Sequence, residues 1–142
     1  MKRFVVDASV AVKWFVPEVH ADAAARLLDG RHELLAPDLI VAEFGNILWK
    51  KAQRKEISKG EAREIARVLR SIPFTYAPSI ELLDAAMEIA HGIGRSVYDC
   101  LYLSLAVARR CRLVTADRRF FTAVGSSPFA DNVKWVEDFP PK

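Results

Sequence analysis

The sequence has few cysteines and few histidines, and their spacing argues against both an intrachain disulfide and a zinc site. Its two cysteines, Cys100 and Cys111, fall on what reads as one helix, where about 1.5 Å of rise per residue holds them roughly 16 Å apart. An intrachain disulfide is therefore not expected, and both cysteines read as reduced thiols. The three histidines, His20, His32 and His91, have no Cys or His at zinc-ligand spacing.

Long apolar runs, repeats and flexible linkers are also missing. No apolar run reaches the roughly 18 residues that a membrane-spanning helix needs, and the short N-terminal apolar run is interrupted by Asp7. No internal repeat and no Gly/Ser linker divides the 142 residues. We expect a single domain over residues 1–142, with a cytoplasmic location and no membrane partner.

The composition is that of a folded domain with a proper core. Hydrophobic residues make up 51% of the chain and charged residues 27%, which suits a compact domain of this length. The net charge is +3, from 21 Lys and Arg against 18 Asp and Glu. This charge is compatible with a polyanionic partner, but it is ordinary for a soluble protein and decides little.

Apolar periodicity predicts strands that alternate with helices. The predicted strands cover residues 3–6, 32–36, 74–77, 112–116 and 133–136. The predicted helices cover residues 8–15, 20–29, 37–54 with Pro37 in the first turn, 58–71, 79–92, 96–110 and 117–124. Such alternation is typical of an α/β fold in which helices cover both faces of a parallel sheet.

Four carboxylates stand among apolar neighbours: Asp7, Glu43, Asp99 and Asp117. Asp7 and Asp117 each follow a predicted strand, and ligands of parallel sheets bind outside the carboxyl ends of the strands. Burying an ionised carboxylate is costly without a partner, and we expect no base one helical turn from Glu43 or Asp99. A divalent cation, Mg²⁺ or Mn²⁺, would satisfy all four acids because it prefers carboxylate and water oxygens.

Each acid also has a purely structural explanation. Asp7 and Asp117 are suited to cap the helices that follow them. Asp99 stands three residues after Ser96, in a spacing that resembles a capping box. Glu43, in mid-helix, is explained structurally only as a glutamate whose stem is buried. These explanations stay open one by one, but all four would have to hold together.

Two hydroxyl residues accompany the acids. Ser9 and Thr115 each lie two residues from one of the aspartates. Their side chains could orient a carboxylate or a metal-bound water. They could equally serve as ordinary cap or turn hydroxyls.

Four stretches of the sequence contain the four acids: "VVDASVAVKWFVPE", "APDLIVAEFGNIL", "SVYDCLYLSLA" and "LVTADRRF". They resemble the PIN domains and, within that family, the VapC-type toxins of bacterial and archaeal toxin-antitoxin pairs. They occur in the expected order and span nearly the whole chain. Each stretch alone is a weak motif, whereas the ordered set is specific.

The resemblance implies a three-layer α/β/α fold with a central parallel sheet, and an acidic pocket that binds Mg²⁺ or Mn²⁺. Its acids would be Asp7, Glu43 and Asp99, with Asp117 as the fourth. The implied activity is that of a metal-dependent endoribonuclease, which hydrolyses RNA phosphodiester bonds and is restrained by a cognate VapB-like antitoxin. The resemblance also points to a homodimer. The RNA target, the cleavage site, the number of metals and the antitoxin are left open.

Basic and aromatic residues add two expectations about partners. Lys13, Arg118 and Arg119 are candidates for contacts with the RNA backbone, or else are solvated surface charges. Trp49 and Ile72 belong to an apolar set that one small domain cannot fully bury, which favours a dimer.

Three other functions compete with this interpretation. The strongest is a non-catalytic RNA- or partner-binding module that retains the PIN fold. A receiver-like phosphoacceptor would want an adjacent acidic pair after the first strand, where only Asp7 stands. A DNA-directed nuclease of the flap-endonuclease type would carry added helical elements for which this chain has no room.

Overall fold

Five parallel strands form the centre of the computed structural model, which describes residues 2–138. The strands are β1 (Lys2–Val6), β2 (His32–Pro37), β3 (Phe74–Ala77), β4 (Arg112–Thr115) and β5 (Val133–Trp135). Their order across the sheet is β3-β2-β1-β4-β5, and every neighbouring pair is parallel. Residue 1 and residues 139–142 of the expected domain lie outside the described residues.

Helices connect the strands and flank the sheet, which makes the fold α/β as expected. They are α1 (Ala8–Val12), α2 (Ala21–Ala25), α3 (Leu39–Gln53), α4 (Lys59–Val68), α5 (Ser79–Ile93), α6 (Val97–Ala108) and α7 (Arg118–Gly125). Short 3₁₀ turns continue α2 at Arg26–Leu28 and α4 at Leu69–Ser71. None of the helices in the described region is long and apolar enough to cross a membrane.

The most apolar segments of the sequence form the centre of the core. Val5 and Val6 of β1 are fully buried, because this strand lies in the middle of the sheet with helices over it. Helix α6 is buried nearly all round and packs against β1, β2 and β4. The apolar runs of β1 and α6 are therefore adjacent. Asp7, directly after β1, and Asp99, in the first turn of α6, stand at the margin of this core.

The sequence-predicted elements are confirmed, with corrections at their ends. Pro37 is the last residue of β2 and does not lie in α3, which begins at Leu39. The sheet tolerates this proline because the next N–H, of Asp38, donates to the Ala77 carbonyl at 2.8 Å. Helix α1 ends at Val12, and turns then lead the chain to Pro17.

Two further corrections concern single side chains. Leu83, whose apolar side chain is typical of an inward position, is 36% exposed, since the buried stripe of α5 follows Leu82, Ala86 and Ile89. Cys111 lies beyond the end of α6 and so does not share a helix with Cys100, although both are free thiols.

Candidate active site

The four acids singled out in the sequence line one pocket of about 300 Å³. Asp7 directly follows β1 and Asp117 comes two residues after the end of β4; these strands are neighbours in the sheet, so the two aspartates stand at the same carboxyl edge. Glu43 comes from the second turn of α3, and Asp99 comes from the first turn of α6. The remaining lining residues are Ala8, Ser9, Asn46, Ile47, Lys50 and Tyr102.

Asp7 is the most tightly held of the four. One carboxylate oxygen accepts from the Ser9 hydroxyl at 2.7 Å and from the Val10 N–H at 3.0 Å, and the other accepts from the Thr115 hydroxyl at 3.1 Å. Asp7 thus caps α1 and lines the pocket at once. Burial raises its pKa to about 6, against the effect of these hydrogen bonds and helped by the negative charge of Asp99.

Asp117 and Asp99 share a cation that the sequence reading overlooked. Arg95 places its Nη2 atom 3.7 Å from Asp99 Oδ2 and 3.6 Å from Asp117 Oδ2. Arg95 precedes Asp99 by one helical turn, so the expectation that no base lies a turn from Asp99 is wrong. The spacing of four residues was the available signal. Burial still raises the pKa of Asp99, with Arg95 opposing and Asp117 adding to the rise.

The capping role expected for Asp117 is also present, whereas only half of the capping box expected at Ser96 and Asp99 is. The Asp117 carboxylate accepts from the Phe120 N–H at 3.1 Å and so caps α7. The Asp99 N–H donates to the Ser96 hydroxyl at 3.1 Å at the start of α6. A capping role and a place in the pocket are therefore not alternatives here, because a helix start at the carboxyl edge of the sheet provides both.

Glu43 is paired with a residue that the sequence reading also missed. The Tyr102 hydroxyl donates to Glu43 Oε1 at 2.5 Å. Burial raises the pKa of Glu43 despite this bond, and the charge of Asp99 contributes to the rise. Tyr102 follows Asp99 by three residues on α6, so the two side chains share a helix face that points at the pocket.

The basic residues expected to contact RNA have unequal positions. Lys13 is buried and pairs with Glu18 at 3.0 Å, so its expected exposure is wrong. The Arg118 guanidinium lies 3.8 Å from the centre of the Trp135 ring, in a cation–π contact. Arg119 is exposed.

The chemistry of the pocket suits a hard divalent cation. Its donor set consists of carboxylate oxygens, which Mg²⁺ and Mn²⁺ prefer, and the burial-raised pKa values of Asp7, Glu43 and Asp99 mark negative charge that lacks compensation. Within residues 2–138, no three His, Cys, Asp or Glu side chains are grouped so as to hold a metal as they stand. In this structure Arg95 contacts Asp99 and Asp117, and the Tyr102 hydroxyl donates to Glu43.

Comparison with known proteins identifies the family. The PIN domain family model matches residues 4–125. The chain belongs to the PIN domain family. Ribonuclease VapC3 of Pyrobaculum aerophilum is 34% identical to this PIN domain over 122 residues, which are 82% of this chain and 91% of that protein. Ribonuclease VapC9 of Mycobacterium tuberculosis is 34% identical over 115 residues, covering 81% of this chain and 86% of that protein.

Solved structures agree with the family assignment. The crystal structure of PAE2754 from Pyrobaculum aerophilum superimposes with a TM-score of 0.67 at 26% identity, covering 96% of this chain and 85% of that chain. VapBC2 from Rickettsia felis, bound to a DNA fragment from its promoter, gives a TM-score of 0.65 at 14% identity over 94% of this chain and 98% of that chain. At that identity the second likeness shows the fold alone.

Proposed function

We propose that this PIN domain is a metal-dependent endoribonuclease of the VapC type, which hydrolyses phosphodiester bonds of RNA. The observation that carries the proposal is the meeting of four carboxylates, from four separate elements, in one pocket at the carboxyl edge of the sheet. Curated relatives at 34% identity bear the name ribonuclease VapC, and they align with more than four-fifths of this chain.

Asp7, Glu43, Asp99 and Asp117 are the residues that would hold Mg²⁺ or Mn²⁺. When bound, such an ion activates water and offsets charge on the scissile phosphate and the leaving oxygen. Ser9 and Thr115 keep the Asp7 carboxylate in one orientation, and Tyr102 does the same for Glu43. Such fixed orientation lowers the reorganisation needed at the reacting phosphate.

Lys50 lines the same pocket from α3, two helical turns after Glu43 and on the same face of the helix. Its ammonium group is suited to bind a phosphate of the RNA next to the one that is cleaved. Arg95 neutralises part of the negative charge of Asp99 and Asp117 before the metal arrives. The pocket therefore combines a set of metal-binding acids with a cation for the polyanionic substrate.

We further propose that the activity is restrained by a cognate VapB-like antitoxin that covers the acidic pocket, and that the chain pairs with a second copy of itself. The antitoxin is supported by the VapC names of the relatives and by the VapBC structure with the same fold. Self-pairing is supported by the exposure of Trp49, at 57%.

Cleavage assays with matched variants test the activity. Purified protein should cleave RNA with Mg²⁺ or Mn²⁺ and not with EDTA, and it should leave DNA of the same sequence intact. Asp7→Asn and Asp99→Asn should each lower the cleavage rate at least about 100-fold, because each removes a metal ligand. Asp84→Asn, the same change at an exposed position on α5, should leave the rate within about twofold of the parent.

The same assay decides against the non-catalytic module. Metal-independent cleavage, or full activity in both Asp7→Asn and Asp99→Asn, contradicts the proposal. RNA that binds but remains intact with either metal would assign the chain to the binding modules. Thermal denaturation supplies a separate readout, since Mn²⁺ should raise the melting temperature of the parent and of Asp84→Asn but not that of Asp99→Asn.

A further inference from the structure

A second pocket, of about 720 Å³, lies at the opposite edge of the sheet and is strongly basic. Six of its eight lining residues are cationic, and we call these six the basic pocket. They are Lys2, Arg3, Arg109, Arg110, Arg112 and Lys134. Phe4 and Cys111 complete the lining.

Three of the six positive charges of the basic pocket have no carboxylate partner among the described residues. Arg3 pairs with Glu33 at 3.1 Å. Within the described part of the chain, no carboxylate lies within ion-pair distance of Arg109, Arg110 or Arg112. These three side chains are exposed and follow one another around the end of α6. Like charges so close together repel, and a bound polyanion would relieve that repulsion.

The sheet separates the two pockets. The basic pocket includes the first residue of β1, and the acidic pocket includes Asp7, which directly follows the last. At about 3.3 Å of rise per residue, the five steps from Lys2 to Asp7 span roughly 17 Å. An RNA strand must pass around the sheet and not through it, so its path between the two pockets is longer than this span, and a long RNA contacts both pockets more readily than a short one.

We propose that the basic pocket is a second RNA contact, which binds backbone phosphates of the substrate away from the bond that is cleaved. The inference rests on the proposed ribonuclease function. A nuclease pocket lined by acids repels the polyanion it must cleave, and cations at a distance compensate for this repulsion without entering the metal site. The basic pocket would therefore favour long or folded RNA over short fragments.

The lining favours phosphate groups over a peptide partner. Arginine is the dominant cation, and its planar guanidinium binds phosphate oxygens in a bidentate manner. Phe4 and Cys111 are the apolar lining residues, and Phe4 is 7% exposed, so little apolar surface is on offer to a protein. The cations contact phosphate and not bases, hence we expect little sequence preference at this site.

Equilibrium binding in EDTA tests the inference without cleavage. The probes are a labelled 30-nucleotide RNA hairpin and a labelled RNA tetranucleotide, followed by fluorescence anisotropy over a range of salt concentrations. Arg109→Gln with Arg110→Gln should weaken hairpin binding at least about fivefold at 0.1 M salt and reduce the salt slope by about 1 to 2. The tetranucleotide, which offers few phosphates, should bind the parent more weakly than the hairpin does and with a smaller salt slope.

The chain offers a closely matched control. Arg54 and Lys55 follow α3 as Arg109 and Arg110 follow α6, and all four are exposed. Lys55 has a φ of 59° and Arg110 a φ of 54°, so both pairs share the same left-handed backbone at the second residue. Arg54→Gln with Lys55→Gln therefore removes the same net charge from the same kind of helix end, and it should leave hairpin binding within twofold of the parent.

Three results would overturn the inference. Equal weakening by both double variants would mean that net charge alone governs binding. No weakening by Arg109→Gln with Arg110→Gln would exclude the basic pocket from RNA contact. The third result has two parts: tripolyphosphate, at a concentration that saturates the parent protein, displaces the hairpin completely, and the parent binds hairpin and tetranucleotide equally well. That pair of results would assign the pocket to a small polyphosphate. Cleavage plays no part in this assay, so the ribonuclease proposal and this one fail independently.

Discussion

Asp7 shows how one side chain serves both the fold and the site. Its carboxylate caps α1 through the Val10 N–H, and it is oriented by two hydroxyls from opposite ends of the chain. Those donors do not fully offset its burial, which raises its pKa to about 6. Because the ionised Asp7 carboxylate lowers the stability of the folded state, a cation bound to it stabilises that state.

The raised pKa of Asp7 predicts a pH dependence of stability in metal-free protein. The native state keeps the Asp7 proton up to about pH 6, whereas the ordinary pKa is 3.8. The folded state therefore binds more protons than the unfolded state between these values, and its stability falls as the pH rises through that window. Asp7→Asn should remove the Asp7 contribution, leave those of Glu43 and Asp99, and raise the free energy of unfolding at pH 7.5 by about 1 to 3 kcal/mol.

Urea unfolding in EDTA at pH 4, 6 and 7.5 measures the effect. Asp84→Asn, at an exposed position on α5, should reproduce the pH profile of the parent. An Asp7→Asn variant that is less stable than the parent at pH 7.5 would show that the cap and hydroxyl bonds outweigh the burial of the charge.

At the scale of the element, the N-terminal ends of helices position the acidic side chains of the pocket. Asp7, Asp99 and Asp117 all stand at the cap or in the first turn of a helix. Capping patterns and strand ends are local, so these positions were predictable from the sequence. Arg95 precedes α6 and Tyr102 lies on it, and their spacings of four and three residues from Asp99 were visible, but which acids they reach depends on how α6 packs.

An ion-pair network ties the end of α1 to α3. Glu18 accepts from Lys13 at 3.0 Å and from Lys51 at 2.7 Å, and both lysine side chains are largely buried. Burial of Glu18 opposes its ionisation, but the two lysines hold its pKa below its usual range. The stability that Glu18 contributes is therefore present above its ordinary pKa of 4.5 and is lost as the pH falls through the lowered value.

Removing the charge of Glu18 should destabilise the fold. Glu18→Gln leaves Lys13 buried without an anionic partner, which should lower the free energy of unfolding at pH 7 by about 2 kcal/mol. Glu56→Gln removes a more exposed partner of Lys51, at 3.6 Å, and should cost less than about 0.5 kcal/mol. Equal unfolding midpoints in urea for the two variants would contradict this ranking.

At the scale of the whole molecule, charge is divided between the two edges of the sheet. The carboxyl edge holds four acids and the amino edge holds six bases, a division that the net charge of +3 conceals. This polarity follows from an all-parallel sheet, since every strand presents its start to one side and its end to the other. The ribonuclease proposal and the second RNA contact thus depend on opposite edges of one sheet.

Self-association is tested on the exposed face of α3. Trp49 is 57% exposed and Val41, eight residues earlier on the same face, is 53% exposed, whereas Ile72 is half-buried against the core. Trp49→Lys should weaken the proposed dimer at least about tenfold, because tryptophan anchors carry much of the energy of an interface. Sedimentation velocity over a range of concentrations measures this. Val19→Lys, at a position 69% exposed, is the control, and equal association of the two variants would exclude this face.

The sequence by itself determined the order and type of nearly every element and the identity of the four acids. Those features depend on apolar periodicity, capping and strand ends, which are local along the chain. The tertiary structure decided which strands are neighbours, and so that Thr115 reaches Asp7 across 108 residues. It also decided that Lys13 is buried, that Arg95 bridges two acids, and that six bases share one pocket. The contacts of Thr115 with Asp7 and of Arg95 with Asp117, and the meeting of bases from β1 and β4 in one pocket, join residues far apart in sequence, and strand order, not local pattern, brings them together.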